Sequence, residues 1–436
     1  MKPIRIGFLG NQNNYPFVLA RALRQIGHDV RVVIDQPDRL DRPEHRYADI
    51  ATAYPDWIVE IPEVRPVDVA FATSRWQHAL DAVRDCDALV LNRLGFGAAA
   101  ALRIPALCLT TGADLEHWSN PDGASSFGRH SVRRERPRDW VASAMQLREC
   151  DRESVTELMD RVPAPVHRAW QTLAFRRMAA IQQRGLRRAV AISAFPDEVS
   201  PLTARMMESC LSPDAERLCL LMADVSWILP TALPENKVLR IFNSARILWQ
   251  EPFPAGIGAW EHKGTDVLLR GIAAWHHRTQ VPLDVRLVEK GPSVAASKSL
   301  IEQLRIAHLV SWQRELSQAA VFEEYSRADI VSEQCGRHVL GMAGYEAMAA
   351  GRPVLANGRP EVFSPIFGAA PPVAQARTPE EVAAQLDRLA VRAERERLAR
   401  TGRAFVEQHL SPVSAACAVA GVLTRAVDTR REWKTA

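Results

Sequence analysis

The chain of 436 residues is long enough for two domains of about 200 residues each. Its 47% hydrophobic and 24% charged residues are typical of an ordinary globular protein, and a net charge of +4 gives no general affinity for nucleic acid. The seven scattered cysteines form no Cys-x-x-Cys pair, which argues against a zinc site or a disulfide framework.

The first half of the chain alternates strands with amphipathic helices. Alternation of this kind predicts a doubly wound parallel sheet with right-handed crossovers. The predicted elements are strand 4–9, helix 15–26, strand Asp29–Ile34, helix 76–84, strand Ala88–Leu91, helix 96–103 and strand Ala106–Leu109, followed by a helical, arginine-rich stretch at 129–188 and strand 189–192.

The loop after the first strand contains Gly10, Asn11 and Asn13. A glycine here lets a ligand approach the backbone, and the asparagines offer amide donors. The dinucleotide pattern G-x-G-x-x-G is absent, which disfavours a nicotinamide cofactor. The alternative is a plain turn between a strand and a helix, in which asparagine tolerates unusual dihedral angles.

A second polar loop follows the strand Ala106–Leu109 and contains Thr111, Gly112 and Asp114. It lies at the carboxyl edge of the predicted sheet, where ligands of open α/β sheets bind. Asp114 could orient a ligand hydroxyl, or it could cap the next helix. Asn92, at the end of the preceding strand, is a weaker neighbour.

The second half of the chain repeats the alternation, which predicts a second parallel sheet. A segment bracketed by prolines near residue 230 is suited to a linker. We therefore predict domains at 1–230 and 231–412 and a terminal helix at 413–436. The predicted elements are strand 238–242, helix 265–276, strand 285–288, helix 296–306, strand 309–312, helix 319–328, strand 329–332 and a helix opened by a capping box at Thr378.

Residues 341–363 carry the strongest functional pattern in the chain. Gly341 opens a short helix that carries Glu346 one turn in and ends at Gly351, and a buried strand follows at 353–356. The unpaired N–H groups and the positive end of the helix dipole suit a diphosphate, and the carboxylate suits sugar hydroxyls. The alternative is a helix packed on a strand, with Glu346 solvated.

The run EAMAAGRPV at residues 346–354 resembles the signature of the retaining, nucleotide-sugar-dependent glycosyltransferases of family 4. That signature is Glu, seven residues, Glu, then Ala-Met-Ala-x-Gly-x-Pro-Val. In the family the second glutamate binds the nucleotide ribose and the first contacts the transferred sugar. The resemblance implies the ribose role for Glu346, but His338 stands at the place of the first glutamate. Glu333 could supply the missing carboxylate.

Lys263 and Gly264 resemble the family's Lys-Gly segment, in which the lysine and an upstream arginine bind the donor diphosphate. Lys263 directly precedes a predicted helix, where an ammonium can reach phosphate oxygens. Arg246 is the candidate arginine, across an apparent insertion. The implied donor site consists of Lys263, Arg246, Glu333, Gly341, Met342, Ala343, Gly344 and Glu346.

The family often has His-Gly-Ser-Asp in the first domain. Here Thr111 takes the place of the histidine, while Gly112 and Asp114 match. The resemblance therefore implies Asp114, Lys263 and His338 as catalytic residues, with an acceptor side formed by Gly10, Asn11, Asn13, Thr111 and Gly112.

The resemblance implies the GT-B fold, with two Rossmann-like domains facing each other across a cleft and a terminal helix crossing back to the first. It also implies retaining, metal-independent transfer from a UDP- or GDP-linked sugar to a glycan or lipid-linked acceptor, in polysaccharide or glycoconjugate synthesis. No other cofactor, no metal and no nucleic acid is expected. The substitutions at His338 and Thr111 leave open a catalytically impaired nucleotide-sugar-binding protein or partner subunit. A nucleotide-sugar epimerase has no positive signature.

The sequence predicts a cytoplasmic location, since no apolar run precedes the first strand and no uncharged apolar stretch of about 18 residues occurs. We therefore expect neither a signal peptide nor a membrane-spanning helix. The arginines at 133–138 and at 184, 187 and 188 could contact anionic lipid at the inner face of the membrane or an acidic glycan. The alternative is that they lie on solvated helix faces.

Overall fold

The computed structural model describes residues 2–35, 39–111, 114–122, 163–253 and 259–435. Its contacts divide the chain into two compact units. The first unit is Met1–Leu220 with Val413–Ala436, and the second is Leu221–Pro412. Each unit is an α/β structure built on a parallel sheet.

The sheet of the first unit has the order β3-β2-β1-β4-β5-β6-β7, and all its pairings are parallel. The strands are β1 (Arg5–Leu9), β2 (Asp29–Ile34), β3 (Ile58–Glu60), β4 (Ala88–Leu91), β5 (Ala106–Leu109), β6 (Ala191–Ser193) and β7 (Glu216–Leu218). Every residue of the central strands β4 and β5 is buried, as expected for strands covered on both faces.

The helices of the first unit connect these strands, and one terminal helix joins the unit from the end of the chain. They are α1 (Tyr15–Gln25), α2 (Pro66–Phe71), α3 (Ser74–Val83), α4 (Ala98–Leu102), α5 (Ala164–Leu186), α6 (Pro201–Cys210) and, after the second unit, α14 (Pro412–Thr435). An ion pair of 2.9 Å between Arg425 and Glu216 contributes to the contact of α14 with this unit.

The sheet of the second unit has the order β10-β9-β8-β11-β12-β13, again with parallel pairings. Its strands are β8 (Leu239–Asn243), β9 (Leu283–Val288), β10 (Val310–Gln313), β11 (Ile330–Ser332), β12 (Val354–Ala356) and β13 (Ala374–Gln375). The helices are α7 (Thr265–Thr279), α8 (Val294–Gln303), α9 (Gln318–Arg327), α10 (Met342–Ala349), α11 (Pro360–Phe367), α12 (Pro379–Ala390) and α13 (Arg392–His409).

The predicted fold class, two parallel-sheet α/β units with a terminal helix, is confirmed. Thr378 does cap α12, because its hydroxyl accepts the N–H of Glu381 at 3.2 Å, but the predicted capping box is only half formed, since the Glu381 carboxylate accepts the N–H of Arg377 at 2.6 Å instead of that of Thr378. The sequence did not predict β3, β7, α6 or α11. The strands among these are three residues long and contain charged residues, so they lack the apolar run that marks a buried strand.

The contacts change unit at Leu220, before the predicted boundary at residue 230. Residues just after Leu220 hydrogen-bond to the second unit. Ala223 donates its N–H to the carbonyl of Leu410 at 3.0 Å, and Arg403 donates to the carbonyl of Ile228 at 2.7 Å. The segment before Pro230 is therefore a fixed part of the second unit.

One helical stretch among the described residues, Arg392–Arg430, is long and apolar enough to cross a membrane by length and composition alone. The sequence-based expectation concerned a run of about 18 apolar residues without any charge. This stretch is apolar on average but contains a few charged residues, so that expectation did not identify it. Half of that window is buried inside the structure. A buried core helix satisfies the same criterion.

Candidate functional site

In the second unit, polar residues meet at the carboxyl edge of the sheet. Asn243 ends β8, and its amide donates to the hydroxyl of Ser332 at the end of β11 over 3.1 Å. Asn357 follows β12 and donates its N–H to the carbonyl of Gln334 at 2.7 Å. These bonds hold the loops after three neighbouring strands at one edge, the usual place for a ligand in such a sheet.

The loop that carries Lys263 is bonded directly to the loop after β11. Gly336 donates its N–H to the carbonyl of Lys263 at 3.2 Å, and Arg337 donates to the carbonyl of His262 at 2.9 Å. Gly264 has a φ of +76°, and a Cβ atom there would lie 2.2 Å from the backbone nitrogen of Gly336. Only glycine permits this approach, which brings two segments predicted as separate motifs into contact.

The Lys263 ammonium is largely buried and lies 3.5 Å from the carboxylate of Glu261. Burial lowers the pKa of Lys263, and the negative charges of Glu261 and Glu333 partly oppose that shift. The positive charge of the exposed Arg246 adds to the lowering, so this predicted partner lies within electrostatic range of Lys263. Within the described ranges, Arg246 has no hydrogen-bond or ion-pair partner.

Glu261 connects Lys263 to His338. The same Glu261 oxygen that faces Lys263 lies 3.6 Å from Nε2 of His338. Burial alone would raise the pKa of Glu261, but the nearby His338 and the charge of Lys263 outweigh it and lower the pKa to about 2. Glu261 therefore stays ionised at neutral pH and links two predicted catalytic residues. The sequence analysis did not find Glu261.

The tip of α10 is partly occupied by a carboxylate of the protein itself. The N–H of Gly341, the predicted first donor, bonds to Oε2 of Glu333 at 3.0 Å. The N–H groups of Met342 and Ala343 have no acceptor among the described residues. Two of the predicted backbone donors are thus open to a ligand, whereas Gly341 is not. The N–H of Gly344 bonds to the carbonyl of Gly341 within the same turn.

Glu346 is half-buried on α10, one turn from this tip. Burial of Tyr325, together with the nearby charge of Glu346, raises the pKa of the Tyr325 hydroxyl. That hydroxyl donates to the carbonyl of Ala343 at 3.1 Å. Glu346 therefore lies on the same short helix as the open N–H groups and within electrostatic range of Tyr325.

In the first unit, Asp114 accepts hydrogen bonds from two of its predicted neighbours. Its Oδ2 accepts the N–H of Thr111 at 2.8 Å and the amide of Asn92 at 3.0 Å. Burial raises the pKa of Asp114 to about 6, although the bonds from Thr111 lower it. Asp114 does not cap a helix through its side chain. Gly112, predicted beside it, lies outside the described residues.

Asn11 differs from its predicted role as an amide donor to a ligand. Its side chain is fully buried, and its amide donates to Oδ1 of Asn14 at 2.8 Å and to the carbonyl of Asp41 at 2.7 Å. Its oxygen accepts the N–H of Phe17 at 3.0 Å at the start of α1. The amide is therefore used within the protein and fixes the turn, which was the alternative interpretation.

The other two residues of this loop remain near the sheet edge. Asn13 has an exposed side chain and a φ of 55°, and its N–H donates to Asp41 at 2.6 Å. Gly10 has a φ of +87°, and a Cβ atom there would lie 2.3 Å from the carbonyl oxygen of Asn92. Gly10 therefore permits close packing of the loops after β1 and β4.

Gly10 also lines a cavity of about 160 Å³ at this edge. Charged residues that the sequence analysis did not find line the same cavity. They are Asp35, Asp41, Glu63 and Arg93. Two of them carry the same sequence signal as Asp114, which is a polar residue just after a buried strand. Asp35 directly follows the apolar strand β2, and Arg93 closely follows β4.

Comparisons with known proteins identify the class of this fold. The structure is similar to a sucrose-phosphate synthase from Thermosynechococcus elongatus, with a TM-score of 0.55, 13% identity and coverage of 98% of this chain and 100% of that one. It is similar to a glycosyltransferase from Rickettsia africae ESF-5, with a TM-score of 0.53, 11% identity and coverage of 99% and 98%. These similarities show the GT-B fold.

A third similar structure is an alpha-glucosyltransferase in complex with UDP and a 13-mer DNA containing an HMU base, with a TM-score of 0.55, 12% identity and coverage of 97% and 100%. Residues 257–404 match the family model of glycosyl transferases group 1. This match lies within the second unit and supports a glycosyltransferase of the GT-B fold. No curated protein sequence matches the chain significantly.

Proposed function

We propose that the protein transfers a sugar from a nucleotide diphosphate sugar, linked to UDP or GDP, to an acceptor bound by the first unit. One observation carries the proposal. The buried ammonium of Lys263 lies within electrostatic range of Glu333, whose carboxylate is bonded to the tip of α10. A cation and two open N–H groups are thus held together inside the segment that matches the glycosyl transferases group 1 family.

Transfer would be promoted by electrostatic stabilisation of the departing diphosphate. The positive potential for this comes from Lys263, Arg246 and the N–H groups of Met342 and Ala343. These groups are in position before the reaction begins. The incoming phosphates would add negative charge beside Lys263 and so favour its ammonium form. Glu346 would bind the ribose hydroxyls. This arrangement supports metal-independent transfer, and retention of configuration is proposed by resemblance.

His338 and Asp114 are the proposed contacts to the reacting groups. His338 takes the place of a glutamate that contacts the transferred sugar in family 4, and its pairing with Glu261 fixes it close to Lys263. Asp114 is buried in a hydrogen-bonded loop of the first unit and would orient a hydroxyl. In this structure the carboxylate of Glu333 is bonded to the N–H of Gly341 at the tip of α10. We therefore propose that Glu333 fixes this tip rather than replaces the missing glutamate.

The proposed acceptor is a glycan or a lipid-linked glycan, and the proposed role is synthesis of cell-surface polysaccharide or glycoconjugate. We place this activity in the cytoplasm, with the inner face of the membrane as a contact surface. Arg184, Arg187 and Arg188 are exposed around the end of α5 and would supply positive charge for that contact. The arginines at 133–138 lie outside the described residues.

A second candidate is a nucleotide-sugar-binding protein without transferase activity. It is favoured by the side chain of His338, which stands where the family has a glutamate and is paired with Glu261. In that case the second unit would bind the donor, but no sugar would be transferred.

Incubation of the purified full chain with radiolabelled nucleotide sugars separates the two candidates. The proposal predicts transfer to a glycan acceptor, or slow hydrolysis of the donor, that Lys263→Gln and Glu346→Gln abolish. Lys237→Gln is the matched control, because Lys237 is an exposed lysine of the same unit. Donor binding without turnover across a broad acceptor panel would favour the second candidate instead.

A further inference from the structure

The cavity in the first unit has a mixed lining and a defined position. It lies where β1, β2 and β4 end, since Leu9, Val33 and the residues after Leu91 line it. Trp76 and several aliphatic residues form apolar walls. The aliphatic residues of these walls include Ile61, Val64 and Ala79.

The charges of this lining are not balanced. Arg93, the one cation in the described lining, pairs with Asp41 at 3.1 Å. Glu63 lies 3.4 Å from Arg65, which does not line the cavity. Asp35 has no ion-pair partner among the described residues, and its Oδ1 atom is buried without a hydrogen bond. A buried acceptor with no donor is costly, so the site is complementary to a ligand that donates hydrogen bonds.

The ionisation of Asp35 agrees with this geometry. Burial raises its pKa to about 6, while the charge of Arg93 and a backbone hydrogen bond from Val64 oppose the shift. At neutral pH the carboxyl is mostly ionised at an energetic cost. A positive charge placed beside it would remove that cost.

A metal ion does not fit this site. Over the described ranges, no group of three or more His, Cys, Asp or Glu side chains is arranged to hold a metal. The lining has three carboxylates, Asp35, Asp41 and Glu63, against one cation, which favours an organic cation over a neutral ligand. The cavity volume of about 160 Å³ is close to that of an engineered cavity of about 150 Å³ that holds benzene, so one six-membered ring fits.

We propose that this cavity binds a six-membered ring with a protonated amine, as in an amino sugar or an aminocyclitol. Asp35 would bind the ammonium, and Trp76 with the aliphatic wall would pack on the ring. This inference rests on the proposed function. In that function, the amino ring is the part of the acceptor that the first unit recognises. The inference names the chemical class of acceptor and adds Asp35 as its specificity residue.

Saturation-transfer NMR with the full chain tests the proposal through matched pairs of probes. Glucosamine is compared with glucose and with N-acetylglucosamine, which keeps the ring but removes the charge. The aminocyclitol 2-deoxystreptamine is compared with inositol. The proposal predicts that at least one amine binds about tenfold or more tightly than its neutral counterparts, because hydrogen bonds to charged groups are the strong ones. Equal binding within both pairs overturns it.

The variant Asp35→Asn keeps the size of the side chain and removes its charge. It should abolish the preference for the amine over the neutral probes. Asp56→Asn is the matched control, because Asp56 is exposed in the same unit and does not line the cavity. An unchanged preference in folded Asp35→Asn contradicts the proposal. The comparison of probes on the unaltered protein remains decisive if the variant does not fold.

The outcome can be separated from that of the proposed function. If amines bind preferentially but no nucleotide sugar is consumed with any acceptor, the binding inference holds and the transferase proposal fails. If sugar is transferred equally well to neutral and amino acceptors, and no amine binds preferentially, the transferase proposal holds and this inference fails.

Discussion

The carboxylate of Glu333 accepts the N–H of Gly341 at 3.0 Å and so caps the helix that carries Glu346. The same carboxylate accepts the N–H and the amide of Gln334, both at 2.9 Å. A negative charge at this end of a helix is favoured by the helix dipole. Glu333 therefore fixes both the loop after β11 and the helix tip.

Glu333→Ala should destabilise the second unit. The change leaves three N–H donors, two of them buried, without their acceptor, and we expect a loss of about 2 kcal/mol in its free energy of unfolding. Glu333→Gln keeps an acceptor oxygen and should cost less. Urea unfolding followed by tryptophan fluorescence measures both. Glu235→Ala, at an exposed position of the same unit, is the control. Equal stability of Glu333→Ala and this control would show that the cap is unimportant.

Gly264→Ala tests the contact between the two loops around Lys263. The new Cβ would lie 2.2 Å from the backbone of Gly336, so the loops must separate. Gly368→Ala is a close control, because its φ is +71° and nothing lies within 4 Å. Both variants carry the strain of the left-handed conformation, about 1 kcal/mol. Gly264→Ala should lose about 2 kcal/mol more and bind nucleoside diphosphates more weakly. Similar losses in the two variants would contradict the role of this contact.

Glu261→Gln should change how nucleotide binding depends on pH. Burial lowers the pKa of Lys263, and the charge of Glu261 opposes that shift. Without this charge the pKa of Lys263 falls further, so the ammonium is lost at a lower pH. The affinity for a nucleoside diphosphate should then decline at a lower pH than in the unaltered protein. Calorimetric titrations at a series of pH values measure the shift, with Glu235→Gln as control. A decline at the same or a higher pH would refute the pairing.

Asp114 should make the stability of the first unit depend on pH. Burial raises its pKa from 3.8 to about 6, so the folded state binds the proton more tightly in this window. Its stabilising contribution is complete below about pH 4 and is lost as the pH rises through 6. The unaltered protein should therefore lose stability relative to Asp114→Asn over this range, by on the order of 2 kcal/mol. Thermal unfolding of both proteins at matched pH values measures the difference. A difference in stability between the two proteins that stays constant from pH 4 to pH 7 would show that folding does not raise the pKa of Asp114.

The sequence predicted the two sheets well because central parallel strands have a clear pattern. The bounds of β4 and β5 were predicted without error, since each is a run of four apolar residues that is buried on both faces. The edge strand β7 was missed because Glu216 and Arg217 make up most of it. An edge strand forms by backbone hydrogen bonding to one neighbouring strand rather than by burial of its side chains. Its sequence therefore carries no apolar run.

The site was predicted in part for a similar reason. Lys263 and His338 stand in motifs with a recognisable order, but their connection through Glu261 depends on the backbone bond between Gly336 and Lys263. Such a bond joins segments far apart in the chain, and no local pattern predicts it. The role of Asn11 was misjudged because its partner is the carbonyl of Asp41, which belongs to a later loop.

The most direct test of the central claim is calorimetric titration of the full chain with UDP, GDP, ADP and dTDP. The account predicts that at least one of these diphosphates binds, and that Lys263→Gln and Glu346→Gln each weaken its binding by about tenfold or more while Lys237→Gln does not. Absence of binding by all four nucleotides, or binding that is unaffected in both site variants, would contradict the claim that the tip of α10 and Lys263 form a nucleotide site.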